Sequence, residues 1–153
     1  MQNYWLMKSE PDAFSISDLK RLKRSPWDGV RNYQARNFMK EMSVGDLIFF
    51  YHSSCKPAGI VGIARVCKSA YPDHTSWDKN SAYYDEKSTL DNPRWYMVDV
   101  EFVEQWSSTL TLAELKQNPE LADMLLTKKG SRLSVMPISQ NEWEYINTIL
   151  KKY

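Results

Sequence analysis

Leu47-Ile48-Phe49-Phe50-Tyr51-His52 is the stretch on which the fold turns. It has no polar alternation. A strand with one wet face alternates apolar and polar residues, so a run apolar on both sides belongs in the middle of a sheet covered twice. Val44-Gly45-Asp46 turns the chain into it, and Lys56-Pro57-Ala58-Gly59 leads out as a hairpin-type connection into Ile60 to Val66, a second central strand. Gly62 in that strand leaves room for a close approach.

Upstream, Tyr4 to Lys8 reads as a first strand closed by Ser9-Glu10-Pro11. Ser15-Ile16-Ser17-Asp18 is a capping-box-like helix start, and Ile16, Leu19 and Leu22 give that helix an apolar stripe until Ser25-Pro26 stops it. Trp27 to Tyr33 is a loop around the turn dipeptide Asp28-Gly29, followed by a short helix from Ala35 to Met42. Downstream, Tyr71 to Pro93 is polar and rich in turn residues, a loop of a length that is uncommon unless it has a function. Arg94 to Val103 alternates as a strand. A helix begins at Thr111, Leu133 to Met136 forms a short last strand, and a C-terminal helix over 140–151 presents Trp143, Ile146, Ile149 and Leu150. Strands and helices do not alternate regularly, which argues against a doubly wound parallel sheet. The pattern predicts an α+β domain on one strongly bent mixed sheet, closing or nearly closing as a barrel, with helices at its edges. No repeat or linker divides the 153 residues, so residues 1–153 are read as one domain.

Composition narrows the function. The net charge is only +1, whereas a protein that grips a long run of phosphates carries a basic excess. Six Trp and nine Tyr exceed what many cores of this size use, leaving aromatic rings for stacking surfaces. The two cysteines, Cys55 and Cys67, and two histidines make no zinc pattern, and no Gly-rich phosphate loop is present, so neither metal nor cofactor is expected. No secretory signal and no apolar run of membrane-spanning length is visible, so no membrane partner is expected and a cytoplasmic location with free thiols is.

Three stretches carry the chemistry. Lys8-Ser9-Glu10 ends the first strand with a cation, a hydroxyl and a carboxylate. Trp27 to Tyr33 flanks Arg31 and Asn32 with two aromatic rings. Tyr51-His52-Ser53 ends the central strand. Trp and Tyr stack on bases, Asn and Ser read base edges, and Lys and Arg hold phosphates. Trp27 is equally suited to core packing, and Lys8 and Arg31 to solvated surface. His52-Ser53-Ser54-Cys55 sets a base near hydroxyl and thiol groups, but neighbours on a strand point to opposite faces, so His52 does not readily serve Ser53.

Several stretches in fixed order resemble the EVE domain family: Tyr4-Trp5-Leu6-Met7-Lys8-Ser9-Glu10-Pro11, the run from Trp27-Asp28-Gly29-Val30-Arg31-Asn32-Tyr33 on to Asn37, Phe50 to Cys55, Gly59-Ile60-Val61-Gly62, Asn92-Pro93-Arg94-Trp95-Tyr96 and Leu133 to Pro137. The resemblance implies a PUA-like fold, a small curved β-barrel flanked by helices. It also implies kinship with the YTH domains, which read a methylated adenine in an aromatic cage, and places Lys8-Ser9 and Trp27 near the equivalent pocket. Taken with the residues above, it implies a non-catalytic module for a modified base in DNA or RNA. In that reading Trp27 stacks on the base, Ser9, Asn32 and Ser53 bond its edge, Lys8 and Arg31 reach a flanking phosphate, and Tyr33 or Trp95 adds a wall. Glu10 and His52 complete the candidate set. The alternative is a small hydrolase or nucleotide-modifying enzyme using His52 with Cys55 or Glu10.

Overall fold

The computed structural model of the chain describes residues 2–128 and 132–150. Its frame is one six-stranded sheet of β1 (Tyr4–Ser9), β2 (Arg24–Pro26), β3 (Leu47–His52), β4 (Gly59–Pro72), β5 (Tyr96–Thr111) and β6 (Val135–Ile138), in the order β2-β5-β4-β3-β1-β6. β1 and β3 run parallel, in register from Tyr4↔Leu47 to Ser9↔His52, and the other pairs are antiparallel. A parallel pair needs a long crossover. Here it contains α1 (Ile16–Leu22), β2 and α2 (Tyr33–Glu41), while α3 (Leu112–Lys116) and α4 (Gln140–Leu150) follow β5 and β6. The architecture is α+β with a mixed sheet. β2 and β6 stand at opposite ends of the order and do not pair, so the sheet is open and the expected barrel does not close.

Alternation along the central strands sends side chains to two cores. Trp5, Met7, Ile48 and Phe50 pack with Ile16 and Leu19 of α1, Ala35 and Met39 of α2, and Trp27. Leu6, Phe49, Tyr51 and Ile60 face the other way, onto Leu115 of α3 and Trp143 and Ile146 of α4. Burying each such side chain contributes about 1.5–3 kcal/mol. The apolar run at 47–52 is therefore covered on both faces, as its composition requires.

Local signals differ from the sequence reading in three places. Ser15 caps α1 with the reciprocal Asp18 box, but the helix stops at Lys23, whose φ is 71°, and Arg24–Pro26 then continues as an edge strand on β5. A residue at positive φ ends a helix as glycine often does. β4 and β5 extend well past the expected strands, to Pro72 and Thr111, because several register shifts let polar segments stay paired beyond the apolar part. The last strand lies at Val135–Ile138, two residues later than expected.

Two contacts pin the crossover. Asp46, 2% exposed, accepts from the Trp5 indole Nε1 (3.0 Å), from the Ser43 amide (2.9 Å) and from the Asn3 amide (3.2 Å), fastening the turn before β3 to the start of β1. His52, at the end of β3, accepts from the Ile16 amide at Nε2 (3.1 Å), which satisfies one of the free N–H groups at the start of α1.

Asp46→Ala strands the buried Trp5 indole and two amides and should cost about 2–4 kcal/mol, measured by denaturant unfolding. An unchanged midpoint would show that the three bonds do not hold the turn. Burial lowers the His52 pKa, and the acceptor role requires the neutral ring. The folded pKa lies below the unfolded value of about 6.5, so the unfolded chain binds the proton first. The His52 contribution is present above about pH 6.5 and is lost as pH falls through that value toward the folded pKa. His52→Gln should flatten the fall in stability between about pH 7 and 5, read from melting temperatures across that range.

Candidate functional site

β1 and β3 end side by side, and the Ser53 amide donates to the Ser9 carbonyl (3.0 Å) where they stop. The crossover leaves from this end, and a cavity of about 650 Å³ opens there. One side is the end of β1 and its turn: Lys8, Ser9, Glu10, Ala13 and Phe14. The opposite side is Leu22, Ser25, Pro26 and the loop from Trp27 to Arg31. Tyr83 and Ser134 complete the rim.

Trp27 is 7% exposed. Its ring meets Phe14 edge-on (6.3 Å, 89°) and Phe50 likewise (5.3 Å, 72°). Trp27 thus belongs to the core and also forms a cavity wall. Phe14 and Trp27 form an aromatic corner, a shape that lets a flat ring stack on one member and abut the other. The Ser9 hydroxyl donates to the Phe14 carbonyl (2.7 Å), which fixes the corner to the end of β1 while its oxygen keeps lone pairs for a donor. Lys8 is partly buried, and burial pushes its pKa down. Among the described residues it has no carboxylate partner, and its ammonium lies 5.5 Å from the Tyr51 ring centroid.

The far wall is held from behind. Asp73 at the end of β4 is fully buried and accepts from the Gly29 amide (2.9 Å), from Arg31 Nη1 (3.0 Å) and from the Thr75 amide (2.9 Å) and hydroxyl. Burial alone would raise its pKa, but the bonds from Thr75, Gly29 and Arg31 outweigh that and hold it below the ordinary carboxylate value. Arg31 spends all five of its N–H donors: on the Val30 carbonyl, on Asp73, on Thr75 Oγ1, and twice on the Tyr83 carbonyl at 2.8 and 3.0 Å. It clamps the long loop between β4 and β5 to the loop that carries Trp27. Gly29 sits at φ 79°, which favours glycine, and a Cβ there would lie 2.7 Å from the Tyr83 ring, which would have to move aside.

The cavity gathers Lys8, Ser9, Glu10, Trp27 and Arg31 and does not gather the other five candidates. Asn32 is the N-cap of α2, its oxygen accepting from the Ala35 amide (2.9 Å), and it does not line the cavity. Tyr33 stacks on Trp95 (4.8 Å, 22°) on the outer side of Arg31, and the Trp95 indole donates to Asp85 (2.7 Å). Neither ring lines the cavity. Arg36 lies 4.9 Å from the exposed Tyr33 ring, and Arg94 donates to its hydroxyl (3.3 Å), giving that face a basic, aromatic character. Ser53 joins only through its backbone. His52 accepts from the start of α1 at Nε2, and the Cys55 thiol donates to the Pro57 carbonyl (3.6 Å). A phosphate role for Arg31 likewise gives way to the clamp.

The sequence reading passed over Phe14, Asp28 and Tyr83. Asp28 stood in a quoted motif but was read only as half of a turn dipeptide. Tyr83 lay in a loop with no periodicity to orient it. Asp28 is partly buried at the wall, and burial, then the nearby Asp73 charge, raises its pKa, with a hydrogen bond from its own backbone amide and the Arg31 and His74 charges opposing. Among the described residues no three His, Cys, Asp or Glu side chains gather as metal ligands, and no helix is long and apolar enough to cross a membrane.

Known proteins resemble this chain over most of its length. The human thymocyte nuclear protein 1 is 43% identical over 171 residues, spanning 99% of this chain and 76% of the human one. A crystal structure of a Pseudomonas syringae protein superposes with a TM-score of 0.95 at 52% identity, covering 96% of this chain and 99% of that one. The crystal structure of human THYN1 in complex with DNA containing 5-methylcytosine superposes with a TM-score of 0.93 at 43% identity, covering 99% of both chains. The EVE domain profile matches residues 3–149, and the chain belongs to the EVE domain family.

Proposed function

We propose that this protein is a non-catalytic reader of a modified base in DNA, and that the base enters the cavity between the end of β1 and the Trp27 loop. The observation that carries the reading is the Phe14–Trp27 corner inside a cavity of about 650 Å³, within the range of small-molecule sites. A base inside a duplex must be flipped out to enter such a site. The complex of the human relative with 5-methylcytosine DNA supports a modified cytosine as the ligand. Trp27 supplies the stacking wall, Ser9 and Lys8 face the base edge or its phosphate, and Glu10 lies exposed at the rim. Arg31 acts as a positioning residue. A PUA-like bend of the open sheet fits this placement, since it turns the ends of β1 and β3 toward the loops.

Wild type should bind 5-methylcytosine DNA more tightly than the same sequence with cytosine, measured by fluorescence anisotropy. A stacked base is worth roughly 1–3 kcal/mol, so Trp27→Ala should weaken binding roughly 10- to 100-fold. Because Trp27 is also core, Trp27→Phe, which keeps most of the packing, accompanies it with a melting curve. Equal binding of both DNAs by wild type would exclude the reading. Arg31→Lys cannot reproduce the five-bond fork and should loosen the 73–95 loop, visible as faster proteolysis there, along with weaker binding.

Salt dependence tests the charge argument. With Arg31 engaged inside the protein, Lys8 and the Arg36–Arg94 face leave about two or three phosphate contacts, and each contributes about −0.9 to the slope of log affinity against log salt on duplex DNA. The slope should lie near −2 to −3. A slope beyond about −5 would mean that a wide basic face, and not the cavity, dominates binding.

A further inference from the structure

The carboxylates around the cavity are not equivalent. Asp73 is consumed by Gly29, Arg31 and Thr75. Asp85 takes the Trp95 indole and the Lys87 amide. Glu10 is exposed. Asp28 lines the cavity, is partly buried, follows Trp27 directly in the chain, and has its own backbone amide as the one hydrogen-bond donor to its carboxylate among the described residues. The cation beside it, Arg31, has no donor left. A carboxylate partly withdrawn from water with a single local donor has acceptor capacity to spare, and a ligand that brings further donors relieves the cost of its burial.

The donors that a base can bring are its amino and imino groups, and a carboxylate pairs well with the exocyclic amine of cytosine. Thymine has a carbonyl oxygen in the same place, so two acceptors would face each other in the cavity. Resting on the base-reader function above, we propose that Asp28 is the specificity-determining residue of this cavity, accepting from the 4-amino group of a cytosine-type base and rejecting 4-oxo pyrimidines. Lys8 in the same cavity offers a donor for the acceptor side of such a base.

5-Methylcytosine and thymine share the 5-methyl group and differ around the ring at position 4 and the protonation of N3, so the pair isolates the amino edge. The test uses duplexes carrying 5-methylcytosine, cytosine or thymine opposite an abasic site, so that no base pair has to be broken. Wild type should prefer 5-methylcytosine over thymine roughly 10- to 100-fold. Asp28→Asn keeps the shape but offers a donor as well as an acceptor, and should bring that ratio close to one. It should leave the preference for 5-methylcytosine over cytosine, which reads the methyl group, in place. Melting curves establish that the variant is folded, and Asp28→Ala, which removes both functions, should lose the same ratio. If Asp28→Asn and Asp28→Ala are folded and keep the wild-type ratio of 5-methylcytosine to thymine, the assignment of Asp28 is overturned while base reading stands. If wild type binds all three duplexes alike, the base-reader function itself is overturned and the assignment goes with it.

Discussion

Three adjacent strands of this protein have no wet face. β1, β3 and the first half of β4 carry apolar side chains on both sides, with Leu6 and Phe49 in one core and Met7 and Phe50 in the other. Every other element answers that constraint. α1 and α2 cover one face, α3 and α4 cover the second, and the strands that remain pair at the margins. Because β1 and β3 are parallel neighbours, the chain between them must travel the length of the sheet and return. That crossover supplies the cover for one core, and it also supplies both loops that line the cavity.

The cavity is thus a product of the crossover. Open sheets with parallel strands favour ligand sites beyond the carboxyl ends of those strands, where the connections diverge. Here the Ser9 end of β1 and the Trp27 loop diverge around Phe14, and the gap between them is the site. Loops of this kind stay open only if something braces them. The brace is the buried Asp73–Arg31 pair with its Thr75, Gly29 and Tyr83 partners. A buried ion pair adds little net stability when its desolvation is counted, but removing one partner is costly, so such a pair sets geometry more than it raises stability.

Much of this was readable before any coordinates. The doubly apolar run at 47–52, the Ser15–Asp18 box and the irregular order of elements led to an α+β domain on a mixed sheet. What was not readable depends on contacts distant in sequence. Closure or openness of the sheet depends on whether its end strands meet, and β2 is three residues long with nothing in Arg24-Ser25-Pro26 to announce a strand. Lys8, Ser9, Glu10, Trp27 and Arg31 were singled out from local chemistry, and the cavity does bring them together. Asn32 shows what the sequence leaves open: an Asn before a helix reads as a cap as readily as a ligand, and the structure shows it capping α2 through the Ala35 amide at 2.9 Å. Tyr33 and Trp95 illustrate the same point, since the exposed Tyr33 ring stacks on the buried Trp95 ring and neither lines the cavity.

The charge of the chain takes on a different meaning once these partners are known. A net charge of +1 says little when cations are counted without regard to what they touch. Arg31, the most prominent cation in the Trp27 loop, is neutralised internally and has no donor to offer a phosphate. Lys8 is the opposite case, a partly buried ammonium with no carboxylate partner among the described residues, and burial disfavours its charged form. Asp28 likewise sits in the wall with its charged form disfavoured. Two groups of opposite sign, neither in a salt bridge, therefore line one cavity, while the Arg31 and Asp73 charges beside them are spent on holding the walls. Such an arrangement costs stability in the empty protein and is repaid by a ligand that carries both a donor and an acceptor. A flat base with an amino group and ring acceptors meets that description, and a phosphate chain, which offers acceptors alone, does not.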